Sequence, residues 1–302
     1  MERTSYTARD GKVLSMVVWD KVPAPVGVVQ IMHGMSEHIA RYDDFALALN
    51  KAGYIVFGTD HRAHGYTDKD RLGLIEENKN LFEDTVKDNI ELTTFAKEKY
   101  NLPIIVFGHS YGSFLLQRYL SYTSSEIAGA VLCGSAKMSD ALVAVSCLLT
   151  KNSNKPTKCD KEGTLFANMT FGAYDKAYKG QGKNAWLSQD KEQVDKYNAD
   201  ELCGFTCSMG FYHYFFKGFK SISKAQHNTL RKDLPLLIIS GSDDKVGGDG
   251  KLVIALEQKY RKLGLSPVLR LYKNCRHEIL NEINKCEVYE DVINFINSCI
   301  VK

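Results

Sequence analysis

Residues 104–120 read IIVFGHSYGSFLLQRYL, and the rest of the chain is best interpreted outward from them. Ile104–Phe107 is an uninterrupted β-branched and aromatic run, the pattern of a strand buried on both faces. From Tyr111 onward the apolar residues fall at helical spacing. Between the two stands Gly108-His109-Ser110-Tyr111-Gly112, a G-x-S-x-G at a strand-to-helix junction. Serine at the tip of so tight a turn takes an unfavourable backbone conformation. Side chains two places before and after it would collide, so both places are glycine. The turn lifts the Ser110 hydroxyl clear of the sheet. It also sets it at a helix N-terminus, where free N–H groups favour developing negative charge. The bare pattern arises by chance in any long chain; the flanking strand and helix are the context it requires.

Outward from this turn, strand and helix alternate. SYTARDGKVLSMVVWD (5–20) predicts two strands around an Asp10-Gly11 turn. GVVQIMHG (27–34) and YIVFGTD (54–60) read as buried strands around the helix YDDFALALNKAG (42–53), which closes at Gly53. LFEDTVKDNIELTTFAKEKY (81–100) has helical spacing, with Phe82, Val86, Ile90 and Phe95 near one face. IAGAVLCG (127–134) is a further strand. The alternation then stops, and resumes with LPLLIISG (234–241), a helix near 250–263, the strand SPVLRLY (266–272) and a terminal helix near 286–299. Short connections imply a largely parallel sheet covered by helices on both faces. The organisation expected is an α/β core from 1–134 and 223–302, interrupted by an inserted cap at 135–222.

The 302 residues are 44% hydrophobic and 25% charged, which suits one sizeable core. A net charge of +3 with interleaved signs gives no footprint for nucleic acid. The N-terminus lacks the apolar core of a signal peptide, and the longest apolar run, ALVAVSCLL (141–149), is too short to span a membrane. The eight cysteines form no C-x-x-C and no zinc framework, so no metal and no cofactor is expected. Reduced thiols and a cytoplasmic setting follow by default. Oligomeric state is not legible.

A serine hydroxyl needs a base. His109 lies inside the turn, where its neighbour position points it away from the hydroxyl. His33, His38, His61 and His64 follow early strands, and His213 and His227 lie in or near the insertion. His277, in YKNCRHEI after the last strand, is where chain order Ser…Asp…His puts the base. The acid that fixes the imidazole should follow an earlier strand; Asp243 and Asp244 both fit by position, with Asp244 preferred. Two main-chain N–H donors should face the developing oxyanion: Tyr111, after the serine, and Met35, in the loop His33-Gly34-Met35.

Five segments carry a specific resemblance: His33-Gly34-Met35-Ser36-Glu37-His38 with Arg41-Tyr42; Asp60-His61-Arg62-Ala63-His64-Gly65; the serine turn; Gly241-Ser242-Asp243-Asp244; and His277. In their order and spacing the chain resembles the monoacylglycerol lipase and lysophospholipase group of α/β-hydrolases, a serine aminopeptidase S33-like family. The resemblance implies a mostly parallel eight-stranded sheet with a helical cap, or lid. It also implies Asp244 as the acid, through G-x-x-D, and N–H donors at Met35 and Tyr111. Where the family usually has glycine in D-H-R-x-H-G this chain has Ala63. The resemblance is weakest in the cap.

Within the cap, SDALVAVSCLLT (139–150) reads as a hydrophobic helix and GFTCSMGFYHYFFKGF (204–219) as an aromatic one. Phe211, Tyr214 and Phe215 are candidates to wall an acyl-chain tunnel, or equally to pack the cap on the core. The cap is also a candidate for transient contact with a membrane or micelle. The basic run KNSNKPTKCDK (151–161) reads first as a solvated loop, second as contact for anionic lipid. The function expected is hydrolysis of carboxylic esters through an acyl-enzyme, with monoacylglycerol or a similar lipid ester as substrate. A short-chain or aryl (cinnamoyl-type) esterase, an acyltransferase and a receptor-like binding protein of the same fold are the alternatives. An epoxide hydrolase needs Asp at the turn and is disfavoured.

Overall fold

The computed structural model describes residues 1–75 and 79–300. Eight strands form one sheet: β1 (Glu2–Thr7), β2 (Val13–Trp19), β3 (Gly27–Met32), β4 (Tyr54–Thr59), β5 (Ile104–His109), β6 (Gly129–Cys133), β7 (Leu236–Gly241) and β8 (Val268–Tyr272). Their order across the sheet is β1-β2-β4-β3-β5-β6-β7-β8. β2 is antiparallel to β1 and β4, and β4 to β8 form a parallel array. The sheet is mostly parallel, as expected, and β3 to β7 are buried along their whole length.

Helices cover both faces. α1 (Asp43–Lys51) and α9 (Lys285–Ile300) place Phe45, Leu49, Val292 and Ile296 against Val29, Ile31, Ile105 and Phe107. On the other face α2 (Leu81–Tyr100), α3 (Tyr111–Tyr122) and α8 (Lys251–Lys262) bring Val86, Leu116 and Leu256 onto Val28, Val106 and Ile238. Alternate residues of each strand thus enter different cores. Together the two cores cover both faces of the central strands β3 to β7, while the edge strands β1 and β8 remain largely exposed; this burial is the main driving force for the layered arrangement.

One helix face departs from the sequence expectation. Phe82 and Val86 are buried as expected, but Ile90 and Phe95 sit at the margin, while Asp88, Asn89 and Thr93 are buried. The reason is Gln30, a polar residue buried within β3: its amide donates to Asn89 O at 2.9 Å and accepts from the Thr93 hydroxyl at 2.6 Å. Asp88 is paired with Arg62, which also holds Asp10. A buried polar group must be partnered, so Gln30 and Arg62 select the helix face that carries partners.

Between β6 and β7 the chain forms α4 (Asp140–Leu149), α5 (Thr164–Ala177), α6 (Lys191–Ala199) and α7 (Met209–Ser223). α4 and α7 were legible as apolar and aromatic helices; α5 and α6 were not. α7 packs on α2, α3 and α4, and starts at Ser208, whose hydroxyl accepts from Phe211 N. Among the described residues no helix is long and apolar enough to cross a membrane.

Candidate active site

The serine turn has the strained geometry its sequence demands. Ser110 adopts φ +49° and ψ −117°, a conformation that costs a non-glycine residue of order 1–3 kcal/mol. A Cβ on Gly112 would come within 2.0 Å of Met32 O, and one on Gly108 within 2.6 Å of Gly112 O. The helix start therefore backs directly onto β3. Ser110 is locked there by its N–H to Cys133 O at 2.9 Å and by Ser113, whose hydroxyl donates to Ser110 O at 2.6 Å.

His277 and Asp244 are brought together from the ends of β8 and β7. His277 Nδ1 lies 3.0 Å from Asp244 Oδ1, and both side chains are almost completely buried. Asp244 also accepts from the Ser240 hydroxyl at 2.7 Å and from Val246 N at 2.9 Å. Burial alone would raise the Asp244 pKa, but the His277 charge and hydrogen bond, with Ser240 and Val246, hold it below its usual value. Asp243, which position alone left open, turns elsewhere: its side chain accepts from Ser242 and its carbonyl from the Tyr178 hydroxyl.

The loop after β3 closes over the serine. A Cβ on Gly34 would stand 3.3 Å from Ser110 Cβ, so glycine permits the close approach. Met35 follows it, and Met35, Ser110 and Tyr111 line one cavity together. His33, His61 and His64 do not reach the serine. They stack beneath Tyr111, with ring centroids of His33 and His61 4.0 Å apart and His64 5.9 Å from Tyr111. Burial pushes all three down, His61 to about 3, so the stack is neutral. Ala63, where the resemblance expects glycine, has φ +65°, which explains the usual residue.

Two unlike cavities meet at Ser110. One is apolar, walled by Phe114, Val143, Phe166, Phe215, Phe216 and Phe219. The other, more polar one also reaches His277; its lining is mixed, with Phe171, Trp186, Leu187 and Phe205 beside Glu37, Asn168, Asp175, Lys183, Asn184 and Tyr197. Of the aromatic candidates in α7, Phe215 lines the apolar cavity. Phe211 and Tyr214 are not among its described lining residues: Phe211 packs on His64 and Tyr111, and Tyr214 on His213. Phe216 and Phe219 share the lining with Phe215, a face that a helix rich in aromatics all round does not reveal from sequence. α4 leaves Leu142, Val145, Leu148 and Leu149 exposed, and Leu142 and Leu149 reach the cavity.

Sequence reasoning missed Trp186. Its ring lies 5.2 Å from that of His277, and its carbonyl faces His277 N. Arg276 fastens this stretch, donating to the carbonyls of Ala185 and Ser188 while its guanidinium lies 4.1 Å from the Tyr178 ring centre. The signal was one large aromatic in a polar stretch, GKNAWLSQD, without periodic support. Also missed was the role of Glu37 and Arg41, an i,i+4 charge pair that meets Glu278 in the buried interior.

Comparison with known proteins bears on this geometry. The family described as serine aminopeptidase S33 matches residues 23–284. The monoglyceride lipase of Mus musculus is 25% identical over 96% of this chain and 88% of its own length. The monoacylglycerol lipase of Mycolicibacterium smegmatis is 28% identical over 97% of this chain and 96% of its own. Among solved structures, a thermostable carboxyl esterase from Bacillus coagulans, in complex with glycerol, superposes with a TM-score of 0.90 at 26% identity, covering 99% of each chain.

Proposed function

Because the chain belongs to the serine aminopeptidase S33 family of α/β-hydrolases and is an ester hydrolase, we propose that it cleaves a monoacylglycerol or similar lipid ester through an acyl-enzyme on Ser110. The observation that carries this reading is the meeting, at one strained serine, of an apolar cavity and a second one whose mixed lining carries charged and amide side chains. An amphiphilic ester fits such a junction, with its acyl chain in the first cavity and its alcohol in the second.

In this reading the Ser110 hydroxyl attacks the ester carbonyl as His277 takes its proton. Asp244, on Nδ1, fixes the ring so that Nε2 faces the reaction, and stabilises the imidazolium. The N–H groups of Met35 and Tyr111 receive the oxyanion. His277 returns the proton to the departing alcohol, and water, activated the same way, releases the fatty acid. The helices between β6 and β7 act as a cap that keeps bulk water from the acyl-enzyme, and the exposed leucines of α4 support transient contact with a micelle or membrane.

The test joins a fluorophosphonate probe with an ester screen. Labelling that disappears in Ser110→Ala, with turnover that favours medium or long acyl glycerol esters, is the expected result. Labelling without turnover would point to a receptor of this fold. Turnover that falls steadily from acetyl onward, measured below the critical micelle concentration, would leave a small-ester esterase.

A further inference from the structure

Beside His277 lies a cluster of ionisable groups that the reaction just described does not use. It comprises His109, before the serine; Glu37 and Arg41, from the loop after β3; and Glu278, after His277. His109, Glu37 and Glu278 are each at most 5% exposed, and the Arg41 side chain 12%. Arg41 spans the two carboxylates, donating to Glu37 and, at 2.8 and 2.7 Å, to both oxygens of Glu278. Glu37 also accepts from Gly34 N and from the Tyr42 hydroxyl.

His109 completes the cluster in a telling way. Its Nδ1 lies 3.4 Å from Glu37 Oε1 and its Nε2 3.4 Å from the His277 carbonyl oxygen. Both partners are acceptors: a main-chain carbonyl, and a carboxylate kept ionised by Arg41. A neutral imidazole has one N–H and one lone pair, so one contact would oppose two lone pairs. The imidazolium satisfies both. Glu37 and Glu278 then balance Arg41 and His109, the neutrality that buried charges require. The electrostatic directions agree. Burial would lower the His109 pKa, but Glu37, then Glu278, raise it above its ordinary value. Burial would raise Glu37 and Glu278, yet Arg41 first and His109 after it hold both down.

We propose that His109 is a positioning residue whose buried positive charge stands against His277 and sets the pH at which that base becomes available. The inference rests on the reading of His277 as general base. The two rings are 4.9 Å apart between centroids. The Asp244 carboxylate on Nδ1 favours positive charge on the His277 ring, and a cation at His109 disfavours it. The other groups around the pair are accounted for. Burial pushes the Cys133 thiol, opposite His109 on β6, and the Tyr42 hydroxyl well above their usual values, and Tyr174 of α5 up to about 12, so these three are neutral. The Arg276 guanidinium points into the stretch around Trp186. Tyr197 of α6 is likewise raised by burial, and the charged groups around the pair are Asp244, Glu37, Glu278, Arg41, Arg276 and His109, with Asp175 and Lys183 across the cavity that His277 lines.

His109→Asn and His109→Gln test this, since each can keep one of the two hydrogen bonds while removing the charge. The full chain, labelled with ¹⁵N in histidine, is titrated by NMR, and kcat/KM for p-nitrophenyl butyrate is measured over the same pH range. In the parent protein both His109 nitrogens should be protonated at neutral pH. In the variants a net negative charge is left beside His277, so its pKa and the acid limb of kcat/KM should both rise by about one pH unit or more. A neutral His109 pattern in the parent, which needs no variant, overturns the proposal. So does a His277 titration that stays in place in a folded variant. If the His277 titration moves and the acid limb does not, His277 is not the base, and the role assigned to His109 fails although the charge coupling is real.

Discussion

The two cavities that meet at Ser110 are built by different parts of the chain, and the difference is instructive. The apolar cavity takes most of its wall from α4, α5 and α7, with Phe114 and Tyr111 of α3 as its floor. The polar cavity takes its inner end from residues tied to the sheet, namely Gly34, Glu37, His109, Ser110 and His277. Its outer end comes from α5, α6 and the stretch around Trp186. In the proposed reading, chemistry is thus held by strand ends, where register leaves little freedom. Selectivity is held, in that same reading, by helices joined to one another and to the core by a few main-chain bonds, such as Gly163 N–H to Cys207 O and Gly204 N–H to Ser36 O, and otherwise by side chains. Substitutions should divide along the same line, abolishing all turnover at the strand ends and redistributing it among substrates in the helices.

The largest effect should come from the strand ends. Ser110→Ala and His277→Ala should each lower kcat by about 10⁴-fold or more for every ester, with the double variant little worse than either, because they act as a unit. Retention of a tenth of the activity in Ser110→Ala would end the distinction between the two regions. Asp244→Asn should cost roughly 10³–10⁴-fold, again whatever the acyl chain. Asp243→Asn should stay within about threefold, the scale of a surface turn. Steady-state kinetics on a short and a long ester separates these outcomes.

Substitutions in the helices should be milder and selective. Each methylene buried in the apolar cavity is worth about 0.8 kcal/mol before the ordering of the chain offsets part of it. kcat/KM should therefore climb with acyl length and level off when the cavity is full. Phe215→Ala should lower the long-chain value about tenfold and leave acetyl ester turnover nearly unchanged. An equal loss on both substrates would mean that the ring supports the cap rather than meeting the chain. The smallest effect belongs to the outer polar cavity. Asp175→Asn should change kcat/KM by roughly threefold, at the scale of an exposed polar contact, and only among esters that differ in the alcohol. Sensitivity to acyl length instead would reverse the assignment of the two cavities.

The same division governs what the sequence made legible. The serine turn, the β3 loop and the segments ending at Asp244 and His277 each combine a strand signal with a residue that chemistry or backbone strain demands, so position could be inferred from local pattern. Which of Asp243 and Asp244 meets the imidazole could not be inferred so, because a one-residue step along a turn reverses the side chain; family pattern favoured Asp244, and in the fold it is Asp244 that meets the ring. Seven aromatic residues crowd positions 204–219, six of them in α7, and every face of that helix looks apolar. Only packing against α2, α3 and α4 turns Phe215, Phe216 and Phe219 toward the cavity and Phe211 toward Tyr111. The face of α2 was legible only in part: Phe82, Val86, Ile90 and Phe95 do pack on the core, but Gln30, more than fifty residues upstream, also draws Asn89 and Thr93 into the buried face.

Trp186 gives the molecule a built-in optical reporter. The chain has two tryptophans. Trp19 is 2% exposed in β2, with its indole N–H on Asp43 at 2.7 Å, remote from the serine in the layered core. Its emission supplies a constant background. Trp186 is stacked 5.8 Å from Phe171, a residue shared by both cavities, and lies against the ring of His277. Its fluorescence should therefore change when a ligand arrives and when the imidazole beside it changes charge. With Trp19→Phe as the silent background, stopped-flow emission from the unlabelled protein can time acyl-enzyme formation and decay on any ester, chromogenic or not.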